Sequence, residues 1–175
     1  EDGLVEFHVR AIGPFSRGIV ENTQVGEQWV VANPYGELQI SGNKPVVMVA
    51  GSTGLAPVRA ILLELVQSGE RPPMVQLFFG AQNPEELYEW KGLVGFEEAF
   101  DWLDLYLVVE DNAPTPEGFD AYTARGLVGD VAAERGAWRD AEVLITGGPQ
   151  MKQHTVEAFL RAGADRDQLR FDVPH

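Results

Sequence analysis

Two hydrophobic rhythms follow one another along the chain. Between residues 4 and 40 short alternating segments are broken by glycine and proline: Leu4 to Arg10, Gly13-Pro14, Gln28 to Ala32, then Asn33-Pro34-Tyr35-Gly36. Period-two alternation with frequent breakers predicts antiparallel strands, here too few to close a sheet. After Ser41-Gly42-Asn43-Lys44-Pro45 the apolar positions become continuous, in the runs Val46 to Ala50, Met74 to Phe79, Leu103 to Val109 and Val143 to Ile145. Such runs suit strands covered on both faces, and helical patterns lie between them, so this part predicts a parallel α/β sheet. In the first helical pattern Val58, Ile61, Leu62, Leu65 and Val66 share a face, Pro57 sits in the first turn and Gly69 is the stop. A second pattern sets Met151, Thr155, Phe159 and Ala162 along one side. Residues 111–118 read as a surface loop.

Open parallel sheets bind ligands where their strands end, and four strand-to-helix turns can be compared. Gly51-Ser52-Thr53-Gly54-Leu55-Ala56-Pro57 has no carboxylate before Glu64 and carries Arg59; Gly147-Gly148-Pro149 likewise leads into a turn with Lys152 and no acid. Helix N-termini carry partial positive charge that Asp or Glu normally answers, so these two turns are left for an external anion or a carboxamide. At Gly80-Ala81-Gln82-Asn83-Pro84-Glu85-Glu86, by contrast, Asn83 is a cap and two glutamates follow, a self-satisfied arrangement. The fourth turn, Gly126-Leu127-Val128-Gly129-Asp130, also has its own acid. A Gly-rich turn alone is as compatible with a tight turn as with a ligand cradle, and neither a Walker A loop nor a G-x-G-x-x-G fingerprint is present.

Composition narrows the chemistry. The 175 residues carry 13 Lys plus Arg against 27 Asp plus Glu, a formal charge of −14, which speaks against phosphate-driven nucleic-acid binding. With no cysteine, disulfides, thiol redox chemistry and Cys-ligated metal or iron–sulfur centres are excluded within the chain. No apolar run reaches the roughly 20 residues of a spanning helix, and no signal peptide is visible at the start, so a cytoplasmic setting is expected. His8, His154 and His175 are scattered without companions at ligand spacing, which argues against a metal site and places His154 on a helix surface. Trp29, Trp90, Trp102 and Trp138 are expected to pack against the core or a partner module.

The residues Val49-Ala50-Gly51-Ser52-Thr53-Gly54-Leu55-Ala56-Pro57, Leu77-Phe78-Phe79-Gly80, Glu86-Leu87-Tyr88 and Thr146-Gly147-Gly148-Pro149-Gln150-Met151 stand in the order of the motifs of the ferredoxin–NADP reductase superfamily. The chain resembles its nicotinamide-nucleotide domain and is most similar to the reductase modules of flavohaemoglobins and bacterial oxygenase reductases. Gly126 to Val131 and the passage from Ala162-Gly163-Ala164 to Arg170-Phe171-Asp172 extend the likeness. The resemblance implies a Rossmann-like, five-stranded parallel sheet with helices on both faces over residues 44–175. It implies a partial antiparallel segment, the end of a flavin-binding β-barrel, over 1–43. The Arg-x-Tyr-Ser flavin motif is absent from the chain, so it is expected to be a fragment with an incomplete flavin site.

Carried over by position, the resemblance implies that Gly51, Ser52, Thr53, Gly54 and Pro57 cradle the pyrophosphate and that Gly147, Gly148, Pro149 and Met151 hold the nicotinamide half. Thr146 stands near the hydride path where the family often has cysteine, and Gln82 where many members have an adenosine-contacting arginine. Ser16 faces the flavin pyrophosphate, and Tyr35 and Gly36 close the flavin barrel. Pro174 stands where an aromatic often covers the flavin. NADPH-dependent relatives place basic or hydroxyl groups after the third strand, but here it ends in Val109-Glu110-Asp111. Two carboxylates repel a 2′-phosphate and accept hydrogen bonds from ribose hydroxyls, so NADH is expected over NADPH unless these are only solvated loop acids. Hydride transfer needs little acid–base help from protein, in keeping with a sequence that shows no triad. The implied activity is hydride transfer from NADH to FAD, then single electrons to a haem or iron–sulfur partner; for a flavohaemoglobin-type parent, this would be nitric oxide dioxygenation. The alternatives are a nucleotide-binding regulatory or docking module that does not turn over, and a structural α/β domain with degenerate loops.

Overall fold

The computed structural model describes residues 5–31, 38–40, 42–110, 114–119 and 122–171. The chain divides into two compact units, Glu1–Glu37 and Leu38–His175. In the first, the described residues hold one helix, α1 (Pro14–Asn22), and no strand. The alternating segments expected there as strands carry no ladder in their described portions, because a strand needs a neighbour for its N–H and C=O groups. The helix arises from a signal that reads as a strand breaker. Gly13 is its N-cap and Pro14 occupies the first turn, where a missing N–H costs nothing. The Ser16 hydroxyl accepts from the N–H groups of Ile12 and Gly13, both at 3.1 Å, and donates to the Gly13 carbonyl. No residue of α1 is buried, and Trp29 remains 45% exposed with its ring 6.3 Å from that of Phe7.

The second unit is built on β1 (Val46–Gly51), β2 (Val75–Ala81), β3 (Leu103–Val109), β4 (Thr123–Arg125), β5 (Glu142–Thr146) and β6 (Leu169–Arg170). All pair in parallel, in the order β4-β3-β2-β1-β5-β6. The sheet thus has six strands rather than five. The addition is β4, three residues long and too short to show as a hydrophobic run. Between the strands lie α2 (Leu55–Gln67), α3 (Trp90–Ala99), α4 (Val128–Arg135) and α5 (Pro149–Arg161).

Strand order explains where the helices go. The chain moves outward from β1 to β4, then returns to the other side of β1 for β5 and β6. Because parallel crossovers are right-handed, reversing the direction of travel puts the later helices on the opposite face. Accordingly Leu55, Val58, Ile61 and Leu62 of α2 and Leu93 of α3 pack with Met48, Leu77, Phe79 and Leu107. On the other face Val128, Val131 and Ala132 of α4 and Val156 and Phe159 of α5 pack with Val47, Val49, Phe78 and Ile145. Alternate residues of β1 therefore feed two cores, and all six are buried. Trp102 and Trp138 are core residues, and Trp90 meets Phe119 edge-on at 5.2 Å. Ala162 lies exposed beyond the end of α5, off the buried side that Thr155 and Phe159 share.

Two predictions test this packing. Phe159, fully buried and edge-on to Trp138 at 5.8 Å, fastens α5 to the sheet. Phe159→Ala is expected to cost about 3–5 kcal/mol, read as a lower urea midpoint with an unchanged slope. Burial, then the charges of Glu97 and Glu98 and a hydrogen bond with Glu97, push the Tyr122 phenol above its ordinary value of 10.0. The folded state holds that proton more tightly than the unfolded one, so this contribution is intact below pH 10 and lost as the pH rises through the folded value. Ultraviolet titration should find the Tyr122 step above that of a model tyrosine, and Glu97→Gln should lower it.

Candidate functional site

The reversal of strand order between β1 and β5 opens the sheet's topological switch point, and a crevice outside the carboxyl ends of such strands is where doubly wound sheets hold ligands. The two acid-free turns meet there. Ala50 pairs with Thr146, so the chain leaves both strands side by side, β1 through the 3-10 turn Ser52–Gly54 into α2 and β5 through Gly147 and Gly148 into α5. Neither α2 nor α5 has an acidic residue in its first turn, whereas α4 has Asp130. Pro57 lies in the first turn of α2 and Pro149 opens α5, both positions that need no backbone donor.

Close approach is possible because side chains are missing. A β-carbon on Gly54 would stand 2.6 Å from the Gly147 nitrogen and from the Thr146 carbonyl. One on Gly147 would meet Met151 Sδ at 3.0 Å and the Gly51 carbonyl oxygen at 3.2 Å, and Gly147 has a φ of 144°, which glycine alone adopts without strain. One on Gly51 would meet Met151 Cγ at 3.3 Å. Gly51, Gly54, Thr146, Gly147 and Met151 thus form one contiguous cluster. Ser52 and Thr53 lie in the turn above β1, half-buried, and Ser52 has a φ of 52°. Thr146 is 5% exposed, and its hydroxyl donates to the Val49 carbonyl at 3.4 Å, a long bond that holds the side chain weakly.

The other candidates lie farther along the sheet or in the first unit. Glu110 follows β3, exposed, with its N–H shared between the carbonyls of Ala81 and Gln82, both at 3.2 Å. Asp111, Tyr35, Gly36 and Pro174 lie outside the described residues. Ser16 belongs to the first unit, where its hydroxyl serves the start of α1. Sequence reasoning missed Arg125. It ends β4 in register with Val109, and Gly126 N–H donates to the Val109 carbonyl, so a cation shares the sheet edge with Glu110. The signal was the Gly126 turn itself, which implies a strand before it.

The turn read as self-satisfied is so. Asn83 Oδ1 accepts from the Glu86 N–H at 3.2 Å. Asp130 accepts from Arg161 Nη2 at 3.1 Å and lies 2.9 Å from His154 Nε2, so His154 is bound to its neighbour helix. Arg59, inside α2, stands 3.9 Å from Glu89. Among the described residues no group of His, Cys, Asp and Glu is placed to hold a metal ion, and no helix is long and apolar enough to cross a membrane.

The contact of the two turns can be tested directly. Gly54→Ala drives a methyl group into the Thr146–Gly147 backbone, so it is expected to destabilise the chain by about 1–3 kcal/mol. Gly148→Ala, with nothing within 4 Å of the added carbon, is expected to change the urea midpoint far less.

Comparison with known proteins agrees with this geometry. The chain is 29% identical over 177 aligned positions to the xylene/toluene monooxygenase electron transfer component XylA of Pseudomonas putida, a match covering 98% of the chain and 49% of that protein. To the ferredoxin–NAD(P)(+) reductase CarAd of Metapseudomonas resinovorans it is 24% identical, over 98% of the chain and 51% of the relative. The chain therefore spans about half the length of these relatives. Among solved structures, the FAD/NAD-binding domain of nitric oxide dioxygenase from Vibrio cholerae superposes with a TM-score of 0.76 at 18% identity, covering 91% of this chain and 64% of that one, which shows a common fold. The model of the oxidoreductase NAD-binding domain matches residues 48–157, from within β1 to within α5. By that match, and with its glycine turns meeting at the switch point, the chain belongs to the oxidoreductase NAD-binding domain family.

Proposed function

We propose that this chain is the NADH-binding portion of a flavin-dependent electron-transfer reductase, with residues 44–175 as the nucleotide domain and 1–43 as the end of a flavin-binding barrel. The observation that carries the reading is the meeting of two acid-free helix starts at the β1/β5 switch point. A dinucleotide fits that cradle. Its pyrophosphate takes the turn Gly51–Gly54, where the N-terminus of α2 supplies partial positive charge, and its nicotinamide half takes Gly147, Gly148, Pro149 and Met151. Bare glycines at 51, 54 and 147 let the two turns and Met151 pack together beneath the ligand, and Met151, an unbranched and polarisable side chain, adapts to a flat ring.

NADH brings the hydride, and the residues here bind and aim it. Thr146 sets the floor beneath the nicotinamide half, its hydroxyl donating a long bond to the Val49 carbonyl of β1. Glu110 accepts from the adenosine ribose and disfavours a 2′-phosphate. On the flavin side only Ser16 is among the described candidates, with its hydroxyl engaged within α1, so FAD belongs to the whole reductase. The names of the relatives, an oxygenase electron transfer component and a ferredoxin reductase, favour an iron–sulfur acceptor, and the fold shared with a nitric oxide dioxygenase keeps haem beside it.

Titration with NADH and then NADPH, followed by reduced-nicotinamide fluorescence, tests the reading. Saturable binding is expected, with NADH tighter. Glu110→Arg is expected to shift the NADH-to-NADPH preference at least about tenfold toward NADPH, since each 1.4 kcal/mol is a factor of ten. Absence of binding by either nucleotide would sink the proposal, and an unchanged preference would remove Glu110 from it.

A further inference from the structure

The chain has no cysteine and three methionines, so its sulfur chemistry lies in thioethers, which peroxides convert to sulfoxides. The three differ in reach. Met48, in the middle of β1, is flanked by Leu77 and Leu144 on the neighbouring strands and is 0% exposed. Met74 precedes β2 at the amino end of the sheet and is 44% exposed. Met151, in the first turn of α5, is half-buried and stands at the other end of the sheet, in the crevice. One thioether is sealed, one is open away from the switch point, and one is partly open within it.

The Met151 sulfur also has two unequal sides. A β-carbon on Gly147 would stand 3.0 Å from Sδ, and one on Gly51 would stand 3.5 Å from Sδ and Cε and 3.3 Å from Cγ. Against those glycines no room remains for a further atom. An added oxygen therefore goes to the side that solvent reaches, where the nicotinamide half is seated in the reading above.

We propose that Met151 is a redox-sensitive modification site, at which sulfoxidation by a peroxide closes the crevice to the nucleotide, an inference that rests on that nicotinamide seat. With hydrogen peroxide, a sulfur lone pair attacks one oxygen, an S–O bond forms and the O–O bond breaks. The attacked oxygen gives its proton to the departing hydroxide, which leaves as water. Sulfur loses two electrons and the peroxide gains them. A flexible apolar side chain becomes a polar, chiral one. Its oxygen needs a hydrogen-bond donor, and the face of a flat ring laid over it supplies none while excluding the water that would. Retreat is barred as well, because Met151 is already packed against Gly51 and Gly147.

The three methionines supply their own controls. The parent chain, Met151→Leu and Met74→Leu are treated with hydrogen peroxide, which catalase then removes. Peptide mass spectrometry reads oxygen at each methionine, and fluorescence titration reads NADH affinity. In the parent, Met74 is expected to gain oxygen first, Met151 next and Met48 last. NADH affinity should fall about tenfold in step with conversion of Met151, in Met74→Leu as in the parent, and methionine sulfoxide reductases should restore it. Met151→Leu should keep through the treatment whatever affinity it starts with. NADH present during the treatment should slow conversion of Met151 and leave that of Met74 unchanged. Full conversion of Met151 with unchanged affinity overturns the proposal, as does an equal loss in Met151→Leu. So does a Met151 that resists peroxide after Met74 is consumed, or one whose conversion NADH does not slow. A parent chain that binds no NADH before treatment overturns the nucleotide site, and this inference with it.

Discussion

Backbone lies against backbone where β1 and β5 end, and much of the second unit is arranged around that contact. A side chain on Gly54 would occupy the Thr146–Gly147 peptide, so two loops that diverge to opposite faces of the sheet begin in contact. The contact fixes the separation of the α2 and α5 starts, and with it the width of the crevice. It also requires β1 to be flanked by β2 on one side and β5 on the other, which in turn requires the chain to reverse direction after β4. Burial of every residue of β1 follows, since the strand that carries the turn must feed both cores.

Charge is distributed around the same place. In a chain of formal charge −14, carboxylates stand in the first turns at Asn83-Pro84-Glu85-Glu86 and at α4, with Asp130, while α1 and α3 have none. The two starts that face the switch point are left to Gly, Pro and other uncharged residues. What sets these two starts apart is their place, side by side at the switch point, in a chain whose overall charge repels anions elsewhere.

Much of this architecture could be read from pattern, and the failures have physical causes. Leu103 to Val109 is a strand with the bounds its run suggests, and Val143 to Ile145 grows by one residue at each end. The cap at Asn83 was visible because its donor is three residues away. Gly13-Pro14 misled because the same pair can end a strand or start a helix, and Ser16, whose hydroxyl decides between them, lies beyond the breaker. At the candidate site the missing acids were legible one turn at a time. That Gly54 touches Gly147, Gly80 faces Val128 and Gly129 faces Thr155 was not, because those contacts depend on strand order and helix crossing. The φ of Ser52 is hidden for a similar reason, since sequence alone would assign such a conformation to glycine.

The sheet's outermost strands have a consequence of their own. β4 and β6 contribute three and two residues at opposite margins, while the four strands between them carry five to seven. The open row of donors and acceptors at each margin is thereby cut to a length that offers little template for a foreign strand. At these margins β4 pairs with Leu107 to Val109 and β6 with Val143 and Leu144, so a part of each apolar run that left bare would invite self-association into fibrils is taken up by a short selvedge.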